Sequence, residues 1–294
     1  MTLLRTISYG VGHFFNDLCG GMWLSYYLLF VQKVLQLCSV KAGFLMLLGQ
    51  VVDAFCTPLV GLGCDSGPVF GFVKKLGIGN RKSWHLLGTV CVALSYGLVF
   101  SRCYLYEWSD WWVVVYFSPL IALFQFGWAC VQISHLSLIP QLASTRSQRT
   151  TLNSLRCCFT VLACLVVFLI MFAMLHHETV DGPDKVSHSD LAHFEYCALI
   201  VIAIGCCTAT MFHVGTKEPD VSRPRAISSN QIVEKAVGGV RMGAFDWLKE
   251  PQFYLVALIY MATRLYVNVS QVYFAFYIQY TQDFHKVSVF KEIV

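Results

Sequence analysis

Three ionisable side chains stand inside long apolar runs of this sequence: Asp17, Asp53 and Arg264. A charge at the centre of a membrane-spanning helix costs about 2.5–3.5 kcal/mol on insertion scales, so each needs a reason. Counted from the more basic end of their runs they lie 10, 9 and 12 residues deep. At 1.5 Å per residue that is roughly 14–18 Å, close to the middle of a bilayer. Three charges at one depth on separate helices are what a shared wet cavity produces. A carboxylate and a guanidinium in such a cavity suit the binding of a charged or polar solute, or of a proton.

Polar neighbours extend the pattern at helical spacing. Gln50, Asp53 and Thr57 share one face of their segment, and Gln125, Trp128, Gln132 and His135 share a face of another. Asn153, Arg156 and Thr160 form a third stripe, and Tyr260, Arg264, Asn268 and Gln271 a fourth. The competing reading is that these groups hydrogen-bond between helices and only hold a bundle together. It is an even rival for a single amide or hydroxyl and a weaker one for the charges.

The elements that must carry these residues follow from composition. Of 294 residues, 56% are hydrophobic and 13% charged, half the charge of a soluble domain. Seven segments are long and apolar enough for a helix to cross a membrane: 7–31, 41–62, 84–101, 112–135, 154–175, 194–214 and 252–280. An all-α membrane protein is therefore expected, with the lipid bilayer as its first partner. The first run is longer than a signal sequence and lacks a small-residue cleavage site, so it is read as the first span. Lys and Arg number fourteen at the amino terminus and in the loops after spans two, four and six, against four in the alternate loops. That bias predicts a cytosolic amino terminus. A net charge of +4 with scattered basic residues speaks against nucleic acid,.

Between the segments lie further candidates. Asp65, Arg81 and Lys82 flank the loop after span two and are placed to form a charge relay at the helix ends. The loop after span five carries His176, His177, His188 and His193 among acids, but in no metal-ligand spacing, and is read as a solvated loop. Cys38 and Cys103 fall on one side of the membrane and are weak candidates for a pair. HExxH, GxSxG, P-loop and paired CxxC patterns are missing, so neither an enzyme nor a cofactor or metal is expected.

Several of these residues sit in recognisable strings. Tyr9-Gly-Val-Gly-His-Phe-Phe-Asn-Asp17, Asp53-Ala-Phe-Cys-Thr-Pro-Leu-Val-Gly61 and Arg81-Lys-Ser-Trp-His-Leu-Leu-Gly-Thr89 resemble the glycoside–pentoside–hexuronide:cation symporter branch of the major facilitator superfamily. Ser137-Leu-Ile-Pro140, followed by Arg149 and Arg156, fits the same branch. The resemblance implies a major facilitator fold of two six-helix bundles working by alternating access. It implies substrate binding at Asp17 and Arg156, with Gln132, Arg264 and Asn268 lining the same cavity. It also implies ion coupling at Asp53 and Thr57. The branch has a second acid where Thr57 stands and another where Gln132 stands, so protons, or no coupled ion, are implied rather than sodium. Within the branch, the nearest likeness implies cysteine import into lysosomes or melanosomes.

Measured against that family, residues 1–215 read as the amino-terminal six-helix bundle and 216–250 as a cytosolic linker. Residues 251–294 then hold the first helix of an incomplete second bundle, so about 7 helices of an expected 12 are present. A truncated chain that does not transport is the corresponding alternative. A seven-span receptor is the other, although common receptors place the amino terminus on the opposite side.

Overall fold

The computed structural model describes residues 3–69, 79–102, 109–176, 185–219 and 249–281. All regular elements among them are helical. Helix α1 (Leu3–Gly10) passes through a 3-10 turn (Val11–His13) into α2 (Phe14–Leu29) and a π turn (Phe30–Val34), with helical backbone at each junction. Then come α3 (Ser39–Ser66), α4 (Asn80–Val99), α5 (Asp110–Leu142), α6 (Arg146–His176), α7 (Leu191–Gly215) and α8 (Pro251–Phe276). Helices thus fall at each of the seven predicted segments. Five of them, α3, α5, α6, the run His188–Gly215 that contains α7, and α8, are long and apolar enough to cross a membrane. Most helices overshoot the apolar runs. α6 begins at Arg146, because a polar turn continues helically once it leaves the hydrocarbon.

The chain divides into two compact units, one of Met1–Pro219 with Val272–Val294 and one of Asp220–Gln271. In the first, the usual burial pattern is inverted on the outside. Phe44, Leu47, Val51, Phe55, Leu59 and Leu62 form an exposed apolar stripe down α3. Such a stripe is stable only against lipid or another apolar surface. Inside, Trp23 stacks on Tyr27 at 4.1 Å between ring centroids, and Phe124 packs against both Trp23 and Tyr96.

Small residues set how closely the helices approach. A Cβ on Gly88 of α4 would lie 2.6 Å from the carbonyl oxygen of Gly127 on α5, and one on Gly127 would lie 2.9 Å from that of Gly88. The two backbones therefore touch, as membrane helices do where glycine removes the side chain.

At one end of the unit stand the start of α4, the end of α7 and the basic residues Arg81 and Lys82; this is its basic end. The Glu218 carboxylate accepts the backbone N–H of Arg81 (3.0 Å) and of Lys82 (3.1 Å) at the amino terminus of α4. The Lys82 ammonium donates in turn to the carbonyls of His213 (2.8 Å) and Thr216 (2.7 Å) at the carboxy terminus of α7. Each charge sits where the helix dipole and the unpaired backbone groups favour it. The loop before α7 is built in at its far end, where Ser187 and Asp190 form a capping box and His188 bonds the Val34 carbonyl at 2.7 Å. His177 and Cys103 lie outside the described residues.

Candidate functional site

The polar centre of the first unit forms where the continuous run from α1 to the π turn (residues 3–34, helix one) is irregular. The 3-10 turn at Val11–His13 tightens the backbone one turn before Asp17. Two carbonyls in this stretch take imidazole partners: Tyr9 O receives Nε2 of His135 at 2.8 Å and Gly12 O receives Nε2 of His85 at 2.9 Å. A carbonyl can only accept, so both imidazoles carry their proton on Nε2 and a lone pair on Nδ1. Tyr9 completes the bracket, donating its hydroxyl to the His135 carbonyl at 3.0 Å with the two rings stacked at 4.2 Å.

Asp17 is 9% exposed and His13 is 4% exposed. Their Oδ1 and Nδ1 atoms lie 2.9 Å apart. The carboxylate sits out of line with the ring N–H, so the contact is electrostatic more than a well-aligned hydrogen bond. The other carboxylate oxygen accepts from Oγ1 of Thr160 on α6 at 3.0 Å. One turn earlier on α6, Nη2 of Arg156 lies 3.1 Å from Nε2 of His13. Since arginine can only donate, that imidazole nitrogen must hold a lone pair, and His13 is neutral with its proton on Nδ1.

The sequence stripes resolve accordingly. Thr160 turns to Asp17 and Arg156 to His13, whereas Asn153 is exposed. Trp128 donates Nε1 to Gln132 at 2.8 Å, and its carbonyl accepts Nδ2 of Asn16, beside Asp17, at 3.3 Å. Asp53 has a different partner from Asp17: Thr57, one turn on along α3, donates to it at 3.2 Å. Arg264 and Asn268 belong to the second unit, where the Arg264 guanidinium lies 6.0 Å from the Tyr260 ring. In the expected relay, Arg81 reaches Asp65 at 3.1 Å, while Lys82 turns to the end of α7. His13, His85 and His213 are functional candidates that the apolar-run argument passes over. The available signal was the four-residue step from His13 to Asp17, which puts both on one helix face.

A helical bundle with an apolar outside, and with a carboxylate, an imidazole and a guanidinium in contact in its interior, is that of a multi-pass membrane protein. The chain belongs to the major facilitator superfamily: the family model described as MFS/sugar transport protein matches residues 8–289.

Individual relatives agree. The chain is 40% identical over 298 positions to Major facilitator superfamily domain-containing protein 12 of Mus musculus, and 39% over 295 positions to that of Homo sapiens. These alignments cover 97% and 96% of this chain but 61% and 60% of the relatives. The chain therefore spans about three-fifths of their length. An uncharacterized symporter of Synechocystis is 25% identical over 185 residues, covering 61% of this chain and 32% of that protein.

Proposed function

We propose that the chain carries a small polar solute by alternating access and that Asp17 and Arg156 bind it. The observation behind this reading is their convergence on His13 from two helices inside the bundle. Opposite charges held this close suit a zwitterion: the carboxylate takes an ammonium group and the guanidinium a carboxylate. Cysteine is the solute we name, imported with protons into lysosomes or melanosomes, on the resemblance drawn from the sequence strings. Thr57 and Gln132, neutral where the sugar–cation branch carries acids, favour protons over sodium. Asp65, Arg81 and Lys82 are proposed to latch one conformation. The excess of Lys and Arg at the amino terminus and in alternate loops of the sequence supports a cytosolic amino terminus,.

Labelled-cysteine counterflow by the chain in liposomes tests the reading. Saturable exchange that Arg156→Gln lowers about tenfold or more is expected for a lost charge-assisted contact. Exchange absent from the chain, or unchanged in Arg156→Gln, overturns it. Protease protection of an amino-terminal tag reports the orientation.

A further inference from the structure

We infer that His13 is the site of the coupling proton, and that its protonation releases Arg156 to the solute. The inference rests on the binding role proposed for Arg156 and adds how a proton controls it.

The geometry fixes one lone pair. Nη2 of Arg156 can donate to Nε2 of His13, 3.1 Å away, only while that nitrogen is unprotonated,. A proton arriving there fills the lone pair, the N–H on Nδ1 stays where it is, and the ring becomes an imidazolium. No other covalent bond forms or breaks. The hydrogen bond from Arg156 is then lost and two cations face each other at contact distance, so the guanidinium is driven off. The imidazolium keeps its own counter-ion, since the Asp17 carboxylate remains 2.9 Å from Nδ1. The displaced guanidinium needs an anion, and a solute carboxylate supplies one. Proton and solute therefore favour each other, which is the requirement for moving them together.

The surroundings are consistent with this. The groups acting on His13 are Asp17 from its own helix run, Arg156 from α6, His135 from α5 and His85 from α4. The Tyr9 hydroxyl is committed to a backbone carbonyl. Thr160 bonds the other oxygen of Asp17 and so holds the carboxylate in place as Arg156 leaves. The alternative is that His13 is a fixed spacer between Asp17 and Arg156, which predicts no proton linkage.

Linkage separates the two. Labelled cysteine is titrated into the purified chain between about pH 5 and 7, where imidazole changes charge. Affinity is expected to rise as pH falls, by up to about tenfold per unit for one linked proton. By reciprocity, adding cysteine to weakly buffered protein should take up protons. His13→Gln, which cannot gain a charge, should bind at the high-pH affinity with no pH dependence. Proton uptake by the unsubstituted chain needs no variant and decides the matter if His13→Gln does not fold. Cysteine bound with no pH dependence and no proton uptake overturns the switch and leaves the solute site standing. Retained pH dependence in His13→Gln moves the proton elsewhere and also overturns it. No binding of cysteine at any pH overturns the solute reading, and the switch with it.

Discussion

Lys82 and Glu218 cap each other's helices: the glutamate carboxylate binds the first N–H groups of α4, and the lysine ammonium binds the last carbonyls of α7. The two ends are thereby tied without a direct ion pair between the side chains. Capping contacts are worth about 0.5–2 kcal/mol each. We expect Glu218→Gln and Lys82→Met each to destabilise the bundle by about 1 kcal/mol in a reversible unfolding titration in mild detergent. Arg81→Ala should cost less and lose its effect in salt, because its partner Asp65 is exposed and such pairs contribute about 0–1 kcal/mol,. A larger effect at Arg81 than at Lys82 would refute this ranking of the contacts.

Gly88 predicts a steric result. A Cβ there meets the Gly127 carbonyl oxygen at 2.6 Å, a backbone atom that moves only with its helix. Gly88→Val should therefore part α4 from α5 and reduce the folded fraction recovered in detergent. Gly43→Val, where a Cβ meets nothing within 4 Å, is the matched control and should lose far less. Size-exclusion profiles and thermal inactivation of the two variants report the difference.

How much of this was legible in the sequence depends on what each residue costs. Asp17 and Asp53 stood out because a charge in an apolar run is expensive, and the strings around them pointed to the right superfamily. The helices were legible for a similar reason, since lipid leaves the backbone few alternatives. His13, His85 and His213 gave a weaker signal, because an imidazole can enter an apolar helix in its neutral form and need not bring a charge with it. Only the packing of α4, α5 and α7 against helix one brings them together. Lys82 was visible as a basic residue, but its partners are backbone carbonyls at another helix end, which leave no mark on the sequence. The break in helix one was hidden too, because Val11-Gly12-His13 reads as well in an α-helix as in a 3-10 turn.

The two acids make separable predictions. Asp17→Asn removes the negative partner of His13 and the acceptor charge proposed for a solute ammonium, so uptake should be abolished while membrane insertion is intact. Asp53→Asn should also abolish uptake, although Asp53 bonds Thr57 on its own helix, because the family resemblance implies a second ion-coupling carboxylate at this position, separate from the proton site at His13. Counterflow then divides them: without net ion movement, Asp53→Asn should still exchange solute and Asp17→Asn should not. Normal uptake kinetics in both variants would refute the assignment.

The proton proposed for His13 needs a route, and we propose the neighbouring histidines for it. Ring centroids step from His13 to His135 (5.7 Å), from His135 to His85 (6.3 Å) and from His85 to His213 (5.0 Å). The last step is a direct contact, with Nε2 of His213 3.1 Å from the lone pair on Nδ1 of His85. Nδ1 of His135 is buried without a hydrogen-bond partner among the described residues, an open acceptor in mid-series. The outer end is half-buried His213, whose carbonyl receives the Lys82 ammonium at the basic end. His85→Gln keeps an amide N–H for the Gly12 carbonyl but cannot relay a proton, and His213→Gln interrupts the next step. Both should leave the pH dependence of cysteine binding in place, since that is an equilibrium property of His13. Both should slow proton-driven uptake by about tenfold or more, the usual scale of a lost proton-transfer group. Uptake at the full rate in both variants would mean that the proton reaches His13 from elsewhere, and that these imidazoles serve to hold α4 and α7 against helix one.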